Sequence, residues 1–295
     1  MKSIIIALSI LMGLTLNKGA ENPYDYDKAW ASVEKFINEG LPKSALEKAE
    51  EIYKMALSEK NDAQLAKSII YISRLTISTN EKGIETSITK LDEIVKTGSS
   101  PVKQIASSYL AELYQRYFDS YRWEISQRSE VTGEKSDDFR TWTTQQFLAT
   151  IESFYLLSIE DKNAIKIPIE QYNIVLNKYD SSAVVFRPSL YEVLADRAFT
   201  FFNQYDNYSN ENQESFQVDQ SWYFASAKDF STREIVANDK SSSKYKILTL
   251  YQEIIKTQRQ NDNASALAEY DLRRLAYVHS QSTLEDKDEL YIQSL

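Results

Sequence analysis

Few side chains in this 295-residue sequence are of the kinds that do chemistry. His279 is the only histidine, and there is no cysteine. A nucleophilic triad needs a base poised near neutrality, and a zinc site needs several nitrogen or sulfur ligands. A lone histidine near a helix end meets neither need; its ordinary role there is to face solvent or a backbone carbonyl. Without cysteine there are no disulfides, thiolate metal sites or cysteine nucleophiles, and neither a lipoprotein's acylated cysteine nor a thioester. Only six glycines occur, two of them in the first twenty residues. No phosphate-cradling glycine loop, dinucleotide fingerprint or H-E-x-x-H motif is present.

Carboxylates are plentiful. Asp25 and Asp27 stand at a helix start, where capping and the helix dipole explain them better than acid–base work. Glu50–Glu51 and Asp137–Asp138 read as solvated surface. A glycan-acting pair needs two carboxylates facing each other across a cleft, which no spacing here specifies. Trp123, Trp142 and Trp222 sit near breaks between helices; they either pack where segments turn or form a platform for a peptide or glycan. No residue is assigned a catalytic, cofactor-binding or metal-ligating role, and no cofactor is implied.

The elements that would position these groups are helical. From Val102, apolar side chains fall at Ile105, Ala106, Tyr109, Leu110, Leu113, Tyr114, Tyr117, Phe118 and Tyr121, in steps of three and one. That is the face of a helix wide enough to be covered on more than one side. Ser100 reads as its N-cap and Pro101 as its first residue. Tyr109, Leu113, Tyr117, Leu194 and Phe199 are expected in the core. Glycine and proline are scarce, at six and five, which favours long helices with few turns. The net charge of −9 argues against a nucleic-acid groove, which needs clustered Lys and Arg.

In chain order, Lys2 followed by the apolar run Ile4–Leu16 reads as a signal peptide, 1–20, too short to span a bilayer as a helix. A helical array is expected over 21–204. Its first helix, Asp25–Asn38, stops at Gly40, and Pro42 opens the second. Asn61–Asp62 caps a third, and Ile84, Ile88, Leu91 and Val95 mark a fourth. The hairpins 42–79 and 81–122 repeat at about forty residues, a helical-repeat spacing, although tetratricopeptide signature positions do not line up. Glu124–Arg140 reads as a surface excursion. Thr143, Pro168 and Pro188 open further helices, the second carrying Ile169, Tyr172, Leu176 and Tyr179. Residues 205–240 read as a polar linker or irregular segment. A C-terminal hairpin, 241–295, follows, with Leu267, Ala268, Leu272 and Leu275 facing inward on its second helix and a last helix from Asp286. That short helix has an acidic start and no closing glycine, so the chain is expected to continue beyond Leu295. The fold class expected is all-α, an irregular array of antiparallel helical hairpins resembling a tetratricopeptide-like solenoid.

Several strings, in order, carry a resemblance. They are Tyr24-Asp-Tyr-Asp-Lys-Ala-Trp30, Gly40-Leu-Pro-Lys-Ser-Ala-Leu46, Pro101-Val-Lys-Gln-Ile105 with Ala111-Glu-Leu-Tyr114, Arg122-Trp123 and Asp138-Phe-Arg-Thr-Trp142. Tyr155-Leu-Leu-Ser158, Ile167-Pro-Ile-Glu170, Arg187-Pro-Ser-Leu-Tyr191, Ala195-Asp-Arg-Ala198 and Asp288-Glu-Leu-Tyr291 follow. Over nearly the whole mature chain the set resembles the N-terminal helical region of bacterial alpha-2-macroglobulin-like proteins, which bear macroglobulin (MG2) domains. The resemblance implies export to the periplasm or cell envelope and a non-enzymatic part in an endopeptidase-inhibiting trap. The partners implied are downstream macroglobulin domains of the same protein and target proteases. None of the bait or thioester parts lies in this chain, so no functional residue carries over. Two alternatives stand beside it: a stand-alone helical-repeat module binding a peptide or glycan in the envelope, and a glycan-acting enzyme.

Overall fold

The computed structural model describes residues 24–128, 136–172, 184–205 and 216–295. The expected signal peptide, Gly133, Leu176 and Tyr179 lie outside them. Among the described residues the chain is an all-helical array. Its helices are α1 (Tyr26–Asn38), α2 (Pro42–Glu59), α3 (Asp62–Thr79), α4 (Gly83–Thr97), α5 (Val102–Ser120), α6 (Arg122–Ser126), α7 (Thr144–Ser158), α8 (Leu190–Tyr205), α9 (Ala227–Phe230), α10 (Ser243–Gln260), α11 (Ala264–Gln281) and α12 (Lys287–Ser294). The only extended pairings among them are single bridges, Pro168 with Ser189 and Val218 with Ser282. No described helix is long and apolar enough to cross a membrane.

Local chemistry sets the boundaries. The Asp25 carboxylate accepts from the Lys28 N–H at 3.0 Å, and Asn61 accepts from the Gln64 N–H at 3.3 Å; each satisfies a backbone donor that the first turn leaves free. Gly40 closes α1 with φ +72°, and the N–H of Leu41 returns to the Phe36 carbonyl at 2.8 Å. This is the left-handed helix stop that glycine adopts without strain. Thr143 and Gln146 make a reciprocal capping box at α7. At α5 the expected cap is corrected. Pro101 itself is the N-cap residue, with no side-chain capping bond, and the Ser99 carbonyl receives the Lys103 N–H at 2.9 Å.

The core is organised around α5, which buries thirteen of its nineteen residues. Tyr109, Leu113, Tyr117, Leu194 and Phe199 are all buried, as the periodicity predicts. On one side Tyr114 lies against Phe139, Trp142, Phe147 and Phe154, with ring centroids 5.5–6.5 Å apart. Ile125, fully buried, and Phe139, packed against the core, therefore tie both ends of the expected surface excursion into the core. A smaller cluster, Ala29, Trp30, Val33, Ala45, Ala49, Ile52 and Leu75, joins α1, α2 and α3.

Two further expectations are corrected. Pro168 opens a 3-10 turn at Ile169–Tyr172, with Ile169 and Tyr172 buried. Of the two readings of 205–240, the described residues match the irregular segment: Phe216, Val218, Tyr223, Phe224, Phe230 and Ile235 join the main cluster, while Val236 is exposed. On α11 the buried face is Ala266, Tyr270, Arg274, Leu275, Tyr277 and Val278, while Leu272 is 53% exposed. An arginine at the centre of the stripe disguised it.

Two substitutions test the packing. Leu113 is fully buried, so Leu113→Ala is expected to cost about 2–5 kcal/mol as a core cavity. At Gly83 an added Cβ would stand 2.4 Å from Ile77 Cα and 2.5 Å from the Thr76 carbonyl oxygen. Gly83→Ala must therefore prise α4 from the end of α3, at about 1–3 kcal/mol. Denaturant titration measures both; a loss below about 0.5 kcal/mol in either, within ordinary surface-mutation scatter, would contradict this packing.

Candidate functional site

The residues singled out in the sequence do not come together. His279 Nε2 lies 2.6 Å from Asp288 Oδ1 and the ring stacks on Tyr291 at 4.7 Å, so it ties α12 to α11. Asp25 is a cap and Asp27 lies in the same first turn. Glu51 holds Lys48 at 2.7 Å, Glu50 reaches Lys90 at 4.0 Å, and Asp138 holds Arg140 at 2.8 Å. Trp142 is core, Trp222 packs beside Arg233, and Trp123 is 76% exposed, so no three-tryptophan platform forms. Among the described residues no group of three or more His, Cys, Asp or Glu is arranged to hold a metal ion.

What the fold assembles instead is a cleft that the sequence reading missed. It lies between α3, α5, α8 and the turn at Tyr172, with a volume of about 280 Å³, far beyond the ~10–15 Å³ that holds one water. Its lining is mixed: α3 gives Ile70 and Arg74, α5 gives Ile105, Tyr109, Glu112 and Arg116, and α8 gives Leu190, Val193, Leu194 and Arg197. Helical spacing places them. On α5, Ile105, Ser108, Tyr109, Glu112 and Arg116 fall at steps of three, one, three and four, and on α8 Leu190, Val193, Leu194 and Arg197 fall at steps of three, one and three, so each set shares one helix face.

The arginines are not equivalent. Arg197 is satisfied by protein: its Nε donates to Ser108 Oγ at 2.6 Å, and its Nη2 donates to the Ser108 carbonyl at 3.2 Å and to Glu112 at 2.6 Å. Arg74 lies over the Tyr71 ring at 5.8 Å and has no ion pair with a described residue; Arg116 likewise has none, and both are exposed at the cleft. Tyr109 also lines the cleft; it is 7% exposed, and its buried hydroxyl has no hydrogen-bond partner among the described protein atoms. Burial pushes this phenol up to about 12, Glu112 adds to the rise, and the charges of Arg116, Arg74 and Arg197 oppose it.

A neighbouring buried group, also missed, is Glu192 of α8. Ser189-Leu-Tyr-Glu192 is an S-x-x-E capping signature that the sequence carries in plain view. The carboxylate accepts from the Ser189 N–H at 2.8 Å, from the Ser189 hydroxyl, and from Gln258 Nε2 of α10 at 2.6 Å. It is 1% exposed, and burial raises its pKa despite those bonds.

A scan against protein-family models finds no match, and neither the curated proteins nor the solved structures contain one. The fold class, an all-helical array, and the cleft thus stand on the chain's own geometry.

Glu192 yields a pH prediction. A carboxyl group whose folded-state pKa lies above its unfolded value stabilises the fold fully below the unfolded pKa. That contribution is lost as pH rises through the folded pKa. The wild type should therefore lose stability relative to Glu192→Gln as pH rises from about 4.5. Denaturant midpoints for both proteins at several pH values check this; a wild-type midpoint that holds level with or gains on that of Glu192→Gln as pH rises would contradict it.

Proposed function

We propose that this chain is a non-enzymatic helical scaffold that binds an anionic group in the cleft between α3, α5 and α8. The observation that carries the reading is the pair Arg74 and Arg116, both exposed at the cleft with no ion pair to a described residue. A guanidinium with open donors is matched by an anion. The cleft lining has no histidine or cysteine, and its one carboxylate, Glu112, is held by Arg197. Such a set recognises charge and has no nucleophile–base pair. The reading coincides with a binding module rather than with a glycan-acting enzyme. In pocket-lining carboxylates elsewhere, Glu253 is engaged by Lys162 at 2.5 Å and by Tyr191 at 3.1 Å.

Ligands that bind the folded state raise the thermal midpoint by mass action. Millimolar acetate, N-acetyl-leucine, phosphate and sulfate should be compared on the full chain at constant ionic strength. At least one is expected to raise the midpoint, and the double variant Arg74→Gln/Arg116→Gln should abolish the rise. If no anion shifts the wild type, or the variant responds equally, the cleft is not the site.

Export, and membership in the front of a macroglobulin-like protease trap, rest on the ordered strings from Tyr24 to Tyr291 and on the Lys2–Leu16 pattern. The native gene tests them: the reading frame is expected to continue past Leu295 into further helical and then β-sandwich domains. A stop codon directly after Leu295 would leave the stand-alone binding module.

A further inference from the structure

Building on that reading of the cleft, we infer that its ligand is a carboxylate carried on a branched or aromatic apolar stem, the chemistry of a free carboxyl terminus on an apolar residue. Three features select this class. First, the charge is modest. Arg197 already shares its charge with Glu112 at 2.6 Å, so Arg74 and Arg116 are the cations left to a ligand. Glu112 lines the same cleft and repels a dianion more strongly than a monoanion.

Second, the donors suit a planar anion with two oxygens. A guanidinium offers paired N–H donors that match a carboxylate in bidentate fashion. Third, much of the lining is aliphatic. Ile70, Ile105, Val193 and Leu194 line the same cleft as the cations, and a free inorganic anion would leave that surface with nothing to bury. A volume of about 280 Å³ is of the order of one residue's side chain and carboxylate.

The same chemistry is found in a small free carboxylate and at a peptide's C-terminus, and the test separates them. Binding to the full chain is measured by isothermal titration calorimetry with four probes. These are N-acetyl-leucine, N-acetyl-leucinamide, a hexapeptide Gly-Ser-Gly-Ser-Gly-Leu with a free carboxyl terminus, and the same hexapeptide amidated. Inorganic phosphate serves as competitor. Both free carboxylates are expected to bind and both amides to bind at least tenfold more weakly. Arg116→Gln and Arg74→Gln should each weaken the carboxylates, the former at least tenfold. Circular dichroism of each variant establishes that it is folded.

A hexapeptide acid that outbinds N-acetyl-leucine assigns the ligand to a peptide end. The reverse order assigns it to a small carboxylate. Amides binding as well as acids would overturn the inference. So would phosphate binding with loss in Arg116→Gln while neither acid binds; that result would leave the anion-binding reading intact. Failure of every anion, phosphate included, would overturn both.

Discussion

The structure depends on α5 having almost no free surface. Thirteen of nineteen residues are buried, yet the helix is not apolar all round: Gln104, Ser107 and Ser108 are buried with the aromatic and aliphatic stripe. A buried polar group must find a hydrogen bond or carry the cost of losing water. Each face of α5 therefore demands a different neighbour. The aromatic face is met by Phe139, Trp142, Phe147 and Phe154. The serine face meets the rest of the array: Ser107 turns back onto its own helix at 2.7 Å, and Ser108 receives the Arg197 guanidinium of α8. That polar contact sits beside the cleft, so the candidate site grows from the same requirement that packs the core.

A second constraint governs the C-terminal half. Irregular backbone between Phe216 and Ile235 is packed against the helices, and its carbonyls need donors that no helix or sheet ladder supplies. Side chains from α10 and α11 provide them. Gln252 Nε2 donates to the carbonyls of Phe230 and Arg233 at 2.6 and 2.7 Å, and Arg274 Nη1 donates to that of Tyr223 at 2.6 Å. Arg274 is fully buried, paired with Asp271 and seated over the Phe230 ring at 4.6 Å. Burying a guanidinium costs desolvation that only complete pairing offsets. Arg274 is therefore a clamp whose geometry fixes how the irregular segment lies. Asp196 of α8 acts similarly, receiving Arg187, Arg273 at 2.8 Å and the Tyr270 hydroxyl at 3.3 Å.

Ionic groups thus fall into two kinds. Arg197, Arg187, Arg273 and Arg274 are satisfied within the protein and hold helices in register. Arg74 and Arg116 have no carboxylate partner among the described residues and are exposed at the cleft. Buried arginines saturate their donors, because an unsaturated buried donor destabilises the fold. Exposed ones keep donors open to solvent or a ligand, and at the cleft two such side chains share one concave, partly apolar surface.

The helical class and most of the helix limits are legible in the residue order. Those properties follow from near-neighbour physics: the three-and-one rhythm of α5 and α8, the caps at Asp25, Asn61 and Thr143, and the glycine stop at Gly40. The Ser189–Glu192 contact is equally local. Features that join residues far apart in the chain come from the packed fold alone. The buried face of α11 was misread because Arg274 is apolar in effect once Asp271 and the Tyr223 carbonyl satisfy it. The packing of residues 216–240 was hidden because its donors come from α10 and α11. The cleft unites Arg74, Tyr109, Arg116 and Arg197 from three helices, and no spacing rule links α3 to α8. Local sequence sets which way a side chain points along its own helix; whether its charge is paired or left open depends on which helix arrives opposite.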